Sequence, residues 1–176
     1  KAMLLELVYP ITQTCLPVLP ERKRSPKLIW LDSGLVNYAA NIQKEVFGAK
    51  DILDAWRGHL AEHIIAQELL TLSNRVSNKR FFWTRAKTNS SAEVDFIFNY
   101  DSHIIPIEVK TGHNSHLRSL HSFVDNSEDC RLGVRVWSEP FSVDKVKTIS
   151  GKEFKLLNIP FYLFGFLPKI LEIEFL

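Results

Sequence analysis

Two acidic residues and one lysine lie on neighbouring apolar segments whose composition is typical of β-strands. Asp95 lies within Ala92–Tyr100, and Glu108 and Lys110 lie at the end of the segment that begins at His103. Side chains two residues apart project from the same face of a strand, so Glu108 and Lys110 share a face. A hairpin formed by the two strands would bring Asp95 close to both.

These three side chains favour one kind of chemistry. Two carboxylates that converge on one point repel each other unless a cation or a proton lies between them. Oxygen ligands of this kind suit Mg²⁺ or Mn²⁺. The metal would polarise a phosphodiester and lower the pKa of a bound water, while Lys110 would position that water or stabilise the developing negative charge. We therefore expect Asp95 and Glu108 to be metal ligands for phosphodiester hydrolysis, with Mg²⁺ or Mn²⁺ as cofactor.

An alternative for Glu108 and Lys110 is an ordinary ion pair on a solvated strand face, because acidic and basic residues two apart on a strand are common. Both segments are otherwise very apolar. A strand buried on both faces tolerates a charge only where the charge has a partner or a function. This context favours the metal site.

A second motif competes for the catalytic role. His59-Leu60-Ala61-Glu62-His63 matches the HxxEH pattern of a class of zinc metalloproteases. On a helix the two histidines would project from one side and could bind zinc, with Glu62 as the general base. A third protein ligand would still be needed, and a zinc site would leave the acids and the lysine of the two strands unexplained. The most ordinary interpretation of the two histidines is structural.

The elements that must position these residues follow from the spacing of apolar side chains. Ile52–Leu72 has apolar residues at three- and four-residue steps, which predicts a helix that packs on a sheet. The predicted strands are Leu4–Tyr9, Cys15–Leu19, Lys27–Leu31, Arg80–Trp83, Ala92–Tyr100, His103–Val109, Leu132–Val136, Lys145–Ile149 and Lys152–Leu157. The further helices are Ser33–Ala40 and Ser115–Val124, and Pro160–Glu172 is an apolar helix or an irregular segment. Alternation predicts that Ala92, Val94, Phe96 and Phe98 face one way and Glu93, Asp95, Ile97 and Asn99 the other.

The order helix, hairpin, helix, strand predicts an α/β fold with a mixed central sheet flanked by helices, with extra hairpin elements near both ends. Residues 1–26 are predicted to be an N-terminal extension, the end of a preceding region in a longer protein, because Lys1-Ala2-Met3 leads directly into an apolar stretch. Residues 27–176 would form the domain. The positive charges of Arg22, Lys23, Arg24 and Lys27 are interpreted as a solvated loop rather than a phosphate-binding patch.

The composition sets limits on the function. The chain has 176 residues, 45% of them hydrophobic and 24% charged, which is the profile of one globular domain. A net charge of +2 is too small for nucleic-acid affinity to depend on overall charge, so any such contact must be local. Two distant cysteines indicate neither a disulfide framework nor a thiolate zinc site. With no membrane-spanning segment or signal peptide in the sequence, we expect a soluble cytoplasmic protein that does not contact a membrane.

A helix with a glutamate, a strand with an aspartate, a strand with Glu-x-Lys and a further helix together resemble the restriction-endonuclease-like fold, the PD-(D/E)XK superfamily. Six sequence blocks resemble more closely a domain of unknown function that is typically C-terminal to an AAA-type ATPase module in bacterial and archaeal proteins. The blocks are Leu31–Leu35, Gly58–Glu62, Glu68-Leu69, Phe82–Arg85, Ala92–Phe96 and Ile105–Gly112. Val94 stands where the superfamily pattern has proline, a position that is often replaced.

The resemblance implies a role for each matching position. Glu62 would be the acid of the first helix, Asp95 and Glu108 the metal ligands, and Lys110 the catalytic lysine. Arg85 and Arg118 would contact nucleic-acid phosphates. The implied partners are DNA or RNA and the ATPase module of the full-length protein, with ATP bound only by that module, and a homo-oligomer is a further expectation. Whether the domain is an enzyme stays open, because the fold could instead serve as a catalytically inactive interaction module for the ATPase part.

Overall fold

An eight-stranded mixed sheet forms the centre of the described structure. The structure is a computed structural model, and the residues that it describes are 4–30, 32–39, 58–72, 79–86, 92–111 and 116–175. The strands are β1 (Leu5–Ile11), β2 (Lys27–Trp30), β3 (Phe81–Thr84), β4 (Glu93–Tyr100), β5 (His103–Val109), β6 (Leu132–Trp137), β7 (Ser142–Lys147) and β8 (Glu153–Pro160). Their order in the sheet is β2-β1-β3-β4-β5-β6-β8-β7.

Parallel and antiparallel pairings are mixed in this sheet. The pairs β1–β3, β5–β6 and β6–β8 are parallel, and the pairs β1–β2, β3–β4, β4–β5 and β7–β8 are antiparallel. The described helices are α1 (Ser33–Ala39), α2 (His59–Thr71), α3 (Arg118–Asn126), a 3₁₀ helix (Phe161–Phe166) and α4 (Leu167–Phe175). The prediction of a mixed sheet flanked by helices is therefore confirmed.

Two apolar clusters cover the two faces of the sheet. On one face, called here the α2 face, α2, the 3₁₀ helix and α4 pack on the strands through residues such as Ile65, Phe164 and Leu171. On the other, the α3 face, Leu120 and Phe123 of α3 pack against the strands. In β5 and β8, residues of opposite strand faces enter opposite clusters, which is why these two strands are apolar almost throughout.

The helices agree with the apolar pattern wherever the structure describes them. The predicted helix Ile52–Leu72 is observed as His59–Thr71, and its first part lies outside the described residues. Among the described residues, no helix combines the length and the apolar composition needed to cross a membrane.

The strand prediction for Cys15–Leu19 is wrong. This segment has no strand and contains bends, and Leu16 and Leu19 are exposed. Pro17 has no backbone N–H and cannot donate to a sheet, so the apolar residues on either side of it do not form a strand.

The N-terminal strand β1 belongs to the sheet itself. It lies between β2 and β3, with Tyr9 in register with Phe81. Residues 5–11 thus contribute a strand next to the elements that carry the site, although the sequence assigns residues 1–26 to an extension. The domain boundary as such stays a prediction.

The predicted alternation along β4 is wrong at its start. The register between β3 and β4 shifts between Phe81 and Trp83, so β4 has a bulge. As a result Val94 and Ile97 both enter the cluster of the α3 face, while Phe96 lies in the cluster of the α2 face. An extra residue in one strand reverses the alternation beyond it, and this bulge adjoins Asp95.

Candidate functional site

Glu108 and Lys110 lie at the carboxyl end of β5, and Asp95 lies beside them near the bulge of β4. Glu108 is 3% exposed and Asp95 is 8% exposed. Lys110 Nζ lies 2.7 Å from Glu108 Oε1. The alternative of an exposed pair on a solvated strand face is therefore wrong, because the carboxylate of this pair is buried.

Asp95 connects the two strands through its side chain. Its Oδ2 accepts a hydrogen bond of 2.8 Å from the backbone N–H of Val109, the residue between Glu108 and Lys110. The carboxylate thus accepts a main-chain hydrogen bond at the end of β5. This contact fixes Asp95 beside the Glu-x-Lys segment.

A second lysine lies among the acids. Lys27 of β2 places its Nζ 2.7 Å from Glu93 Oε1. The same Nζ lies 3.6 Å from Glu62 Oε2 and 3.6 Å from Asp95 Oδ1. Helix α2 supplies Glu62, so three elements, β2, α2 and the start of β4, meet at this ammonium group.

The sequence did not identify Lys27 and Glu93 as members of the site. Lys27 was grouped with the charges of a solvated loop, and Glu93 had no predicted role. The available signal was the position of Lys27 at the start of a short apolar strand, where a buried charge requires partners. Its ammonium group also lies 5.0 Å from the centre of the Phe82 ring, which is consistent with this enclosed position.

The cluster consists of four acids and two lysines, and its formal charge is −2 when all six are ionised. Its members are Glu62, Glu93, Asp95, Glu108, Lys27 and Lys110. Burial, and then the charge of Asp95, raise the pKa of Glu108 to about 7 against the opposing effect of Lys110. Burial also raises the pKa of Asp95 and of Glu62. Burial by itself would lower the pKa of each lysine, yet the surrounding acids leave both pKa values above the ordinary value. The site therefore has an excess of negative charge in a partly dry environment.

One carboxylate oxygen in the cluster has no hydrogen-bond partner in the described part of the chain. Glu108 Oε2 is buried and makes no hydrogen bond to any described residue. Such an atom carries a desolvation cost unless a proton or a cation binds it. Asp95 retains acceptor capacity as well, because an ionised carboxylate offers about four lone-pair sites.

These two carboxylates fit a Mg²⁺ site better than a site made entirely of protein ligands. In the described part of the chain, no group of three or more His, Cys, Asp or Glu side chains is arranged to hold a metal. Mg²⁺ is commonly bound by one or two carboxylates and keeps several waters. Asp95 and Glu108 match that donor set.

The HxxEH histidines do not form a metal-binding group within the described residues. His63 Nδ1 lies 2.8 Å from the backbone carbonyl oxygen of His59, one turn earlier in α2. Glu62, the acid of the motif, faces Lys27. The zinc alternative therefore gains no third ligand from the described part of the structure.

The two arginines predicted to contact phosphates lie near the edge of the cluster. Arg85 follows β3, and its backbone N–H donates a 3.2 Å hydrogen bond to the carbonyl oxygen of Ala92, next to Glu93. Arg118 is exposed at the start of α3. Its neighbour Ser119 accepts a 3.3 Å hydrogen bond from the backbone N–H of Glu93. Both arginines are close to the cluster in the fold, and their role stays a prediction.

One protein-family model matches this chain over residues 57–161, a range that includes Glu62, Asp95, Glu108 and Lys110. No curated protein and no solved structure shows a significant match. The matched range is more than half of the 176 residues. The chain therefore belongs to the family described as a domain of unknown function, DUF4143.

Proposed function

We propose that this chain is a nuclease-like domain that hydrolyses phosphodiester bonds of DNA or RNA with Mg²⁺ or Mn²⁺. The observation that carries the proposal is the buried Glu108 carboxylate. Among the described residues, one of its oxygens has no hydrogen-bond partner, the other pairs with Lys110, and the charge of Asp95 acts on it. A site with surplus negative charge and an unsatisfied acceptor is suited to a divalent cation.

Asp95 and Glu108 would hold the cation, which when bound would polarise the phosphodiester and acidify a water. Lys110, held by Glu108, would donate to the negatively charged oxygens of the reacting phosphate. Glu62 would orient Lys27, and it would keep that ammonium group among the acids.

The proposal extends to the fold and to the partners. A restriction-endonuclease-like core is compatible with the antiparallel β3–β4–β5 strands followed by the parallel strand β6, and with helices on both faces. The N-terminal ATPase module of a longer protein is the proposed macromolecular partner, and nucleic acid is the proposed substrate. The argument for the ATPase module is the sequence resemblance alone.

The test is cleavage of labelled DNA and RNA, single-stranded and duplex, with Mg²⁺ or Mn²⁺. Three variants separate chemistry from folding. Asp95→Asn keeps an acceptor for the Val109 N–H and removes the charge, Glu108→Gln preserves the shape, and Lys110→Met removes the ammonium group. Each should reduce cleavage at least about a hundredfold, because each removes a group that acts on the reacting phosphate or its metal.

Glu172→Gln, at an exposed acid of α4, is the matched control and should cleave like the wild type. Thermal unfolding of each variant verifies that it is folded. Cleavage that survives Asp95→Asn, or wild-type protein that cleaves none of the nucleic acids, would refute the proposal.

A second candidate is an interaction module without catalytic activity. The position of Lys27 favours it, because this lysine already neutralises part of the acidic cluster from within the protein. This candidate predicts wild-type protein that neither cleaves nucleic acid nor binds Mg²⁺, and that still associates stably with the ATPase module. Isothermal titration with Mg²⁺ and co-purification with that module distinguish the two candidates.

A further inference from the structure

A row of polar side chains crosses the α3 face of the sheet, starting at Glu108. In register, Glu108 of β5 pairs with Arg135 of β6, Arg135 pairs with Asn158 of β8, and Asn158 pairs with Ser142 of β7. Register partners share a face and lie about 5 Å apart. The row is therefore continuous with the candidate active site.

The buried end of this row holds Arg135 in a fixed orientation. Asn158 is 0% exposed, and its Oδ1 accepts a 2.7 Å hydrogen bond from Arg135 Nε. Its Nδ2 donates to Ser142 Oγ at 2.9 Å and to Asp144 Oδ2 at 2.6 Å. The guanidinium carbon lies 3.8 Å from the centre of the Trp137 ring. Four neighbouring residues thus determine where this guanidinium points.

The terminal nitrogens of Arg135 donate no hydrogen bond to the described residues, and only its Nε donates, to Asn158. Burial lowers the pKa of Arg135 and the charge of Asp144 opposes this effect, so a carboxylate lies near the guanidinium without a hydrogen bond to it. An arginine with a purely structural role commonly donates hydrogen bonds from its two terminal nitrogens to a carboxylate. The register partner Glu108 has an oxygen without a partner, yet no ion pair joins the two residues in the described structure. Register partners of opposite charge that do not form an ion pair are complementary to a cation and a phosphate bound side by side.

We propose that Arg135 binds a phosphate of the nucleic-acid strand next to the bond held at Glu108. This inference depends on the proposed function, because it takes the cation at Glu108 and the nucleic-acid substrate from it. The planar fork of a guanidinium matches two oxygens of one phosphate. Trp137 and Asn158 are positioning residues, because they orient Arg135 and do not contact the phosphate.

The test measures binding of short fluorescein-labelled DNA and RNA oligonucleotides, single-stranded and duplex, by fluorescence anisotropy. All proteins carry Asp95→Asn so that the probe is not cleaved. Adding Arg135→Gln should weaken binding about tenfold and reduce the slope of log affinity against log salt by about one. Arg135→Lys, which keeps the charge and loses the fork, should weaken binding several-fold. Lys169→Gln, at an exposed lysine of α4, should change neither quantity.

Equal affinity of Arg135→Gln and the reference protein would overturn the inference, whether or not the wild type cleaves. Absence of binding to every probe would overturn it too. If Arg135→Gln does not fold, Arg135→Lys decides, and affinity equal to the reference again overturns the inference. Wild-type cleavage is measured in parallel: binding that depends on Arg135 without any cleavage supports the phosphate site and refutes only the proposed hydrolysis.

Discussion

Replacing Glu108 by glutamine should stabilise the protein at neutral and higher pH. Burial first, and then the charge of Asp95, raise the pKa of Glu108 from 4.5 to about 7 against the opposing effect of Lys110. The folded state therefore holds this proton more tightly than the unfolded chain. The resulting stability is fully present below about pH 4.5 and is lost as the pH rises through about 7. Each pKa unit is worth about 1.4 kcal/mol, so the loss approaches about 3 kcal/mol.

Glutamine has the shape of glutamate and no proton to lose, so Glu108→Gln should lack this pH-dependent loss. Urea unfolding in the presence of EDTA, at about pH 5 and about pH 8, measures the free energy of unfolding of both proteins. The variant-minus-wild-type difference should become more positive by about 2.5 kcal/mol from the lower to the higher pH, because a small part of the loss has already occurred at pH 5. Glu172→Gln, at an exposed position, should show no such change. A Glu108→Gln difference that is equal at both pH values would refute the view that burial disfavours the charged form of Glu108.

Three further substitutions test the packing and the charges. Lys27→Gln should lower the free energy of unfolding by about 1–3 kcal/mol at neutral pH, and by less at about pH 5, because neighbouring acids lose their ammonium partner; urea unfolding measures both. Gly133→Ala should lower it by about 1–2 kcal/mol, because a Cβ there would lie 3.1 Å from Leu120, and thermal unfolding should show the lower midpoint. Ser102→Gly should raise it by up to about 1 kcal/mol, because Ser102 has a φ of 65° in the β4–β5 turn, and unchanged stability would contradict that strain.

Local sequence patterns were sufficient for most elements of the fold. The β4–β5 hairpin was predicted from two apolar segments around a polar turn, and the turn residues Asp101 and Ser102 have the positive φ angles of a tight hairpin. The buried face of α3 was predicted from apolar residues at helical spacing, and Leu120, Phe123 and Val124 are buried. Each of these patterns involves only a few neighbouring residues, so a single sequence is enough to predict the helix or the hairpin.

The parts that could not be predicted depend on contacts between distant segments. No local sequence pattern predicts that β1 lies between β2 and β3, because its position depends on which strand of the sheet it pairs with. The bulge of β4 depends on its register with β3. Lys27 joins the cluster only because β2 pairs with β1, which brings a lysine from the N-terminal region to acids of α2 and β4. The Asp95, Glu108 and Lys110 part of the site was accessible, since a hairpin requires only neighbouring strands.

The placement of β1 has a consequence for how the chain reaches its native state. The strands of the hairpins β4–β5 and β7–β8 are close to each other in the sequence. By contrast, β1 pairs with β3 across a long sequence separation, with Tyr9 opposite Phe81. Pairings that close long loops form slowly, so we expect β1 to dock after the hairpins, with β2 joining the sheet through it. Until then Lys27 is absent from the cluster, and Glu62, Glu93 and Asp95 repel one another. Millimolar divalent cations or mildly acidic solution should therefore stabilise this partly folded state, because they reduce that repulsion.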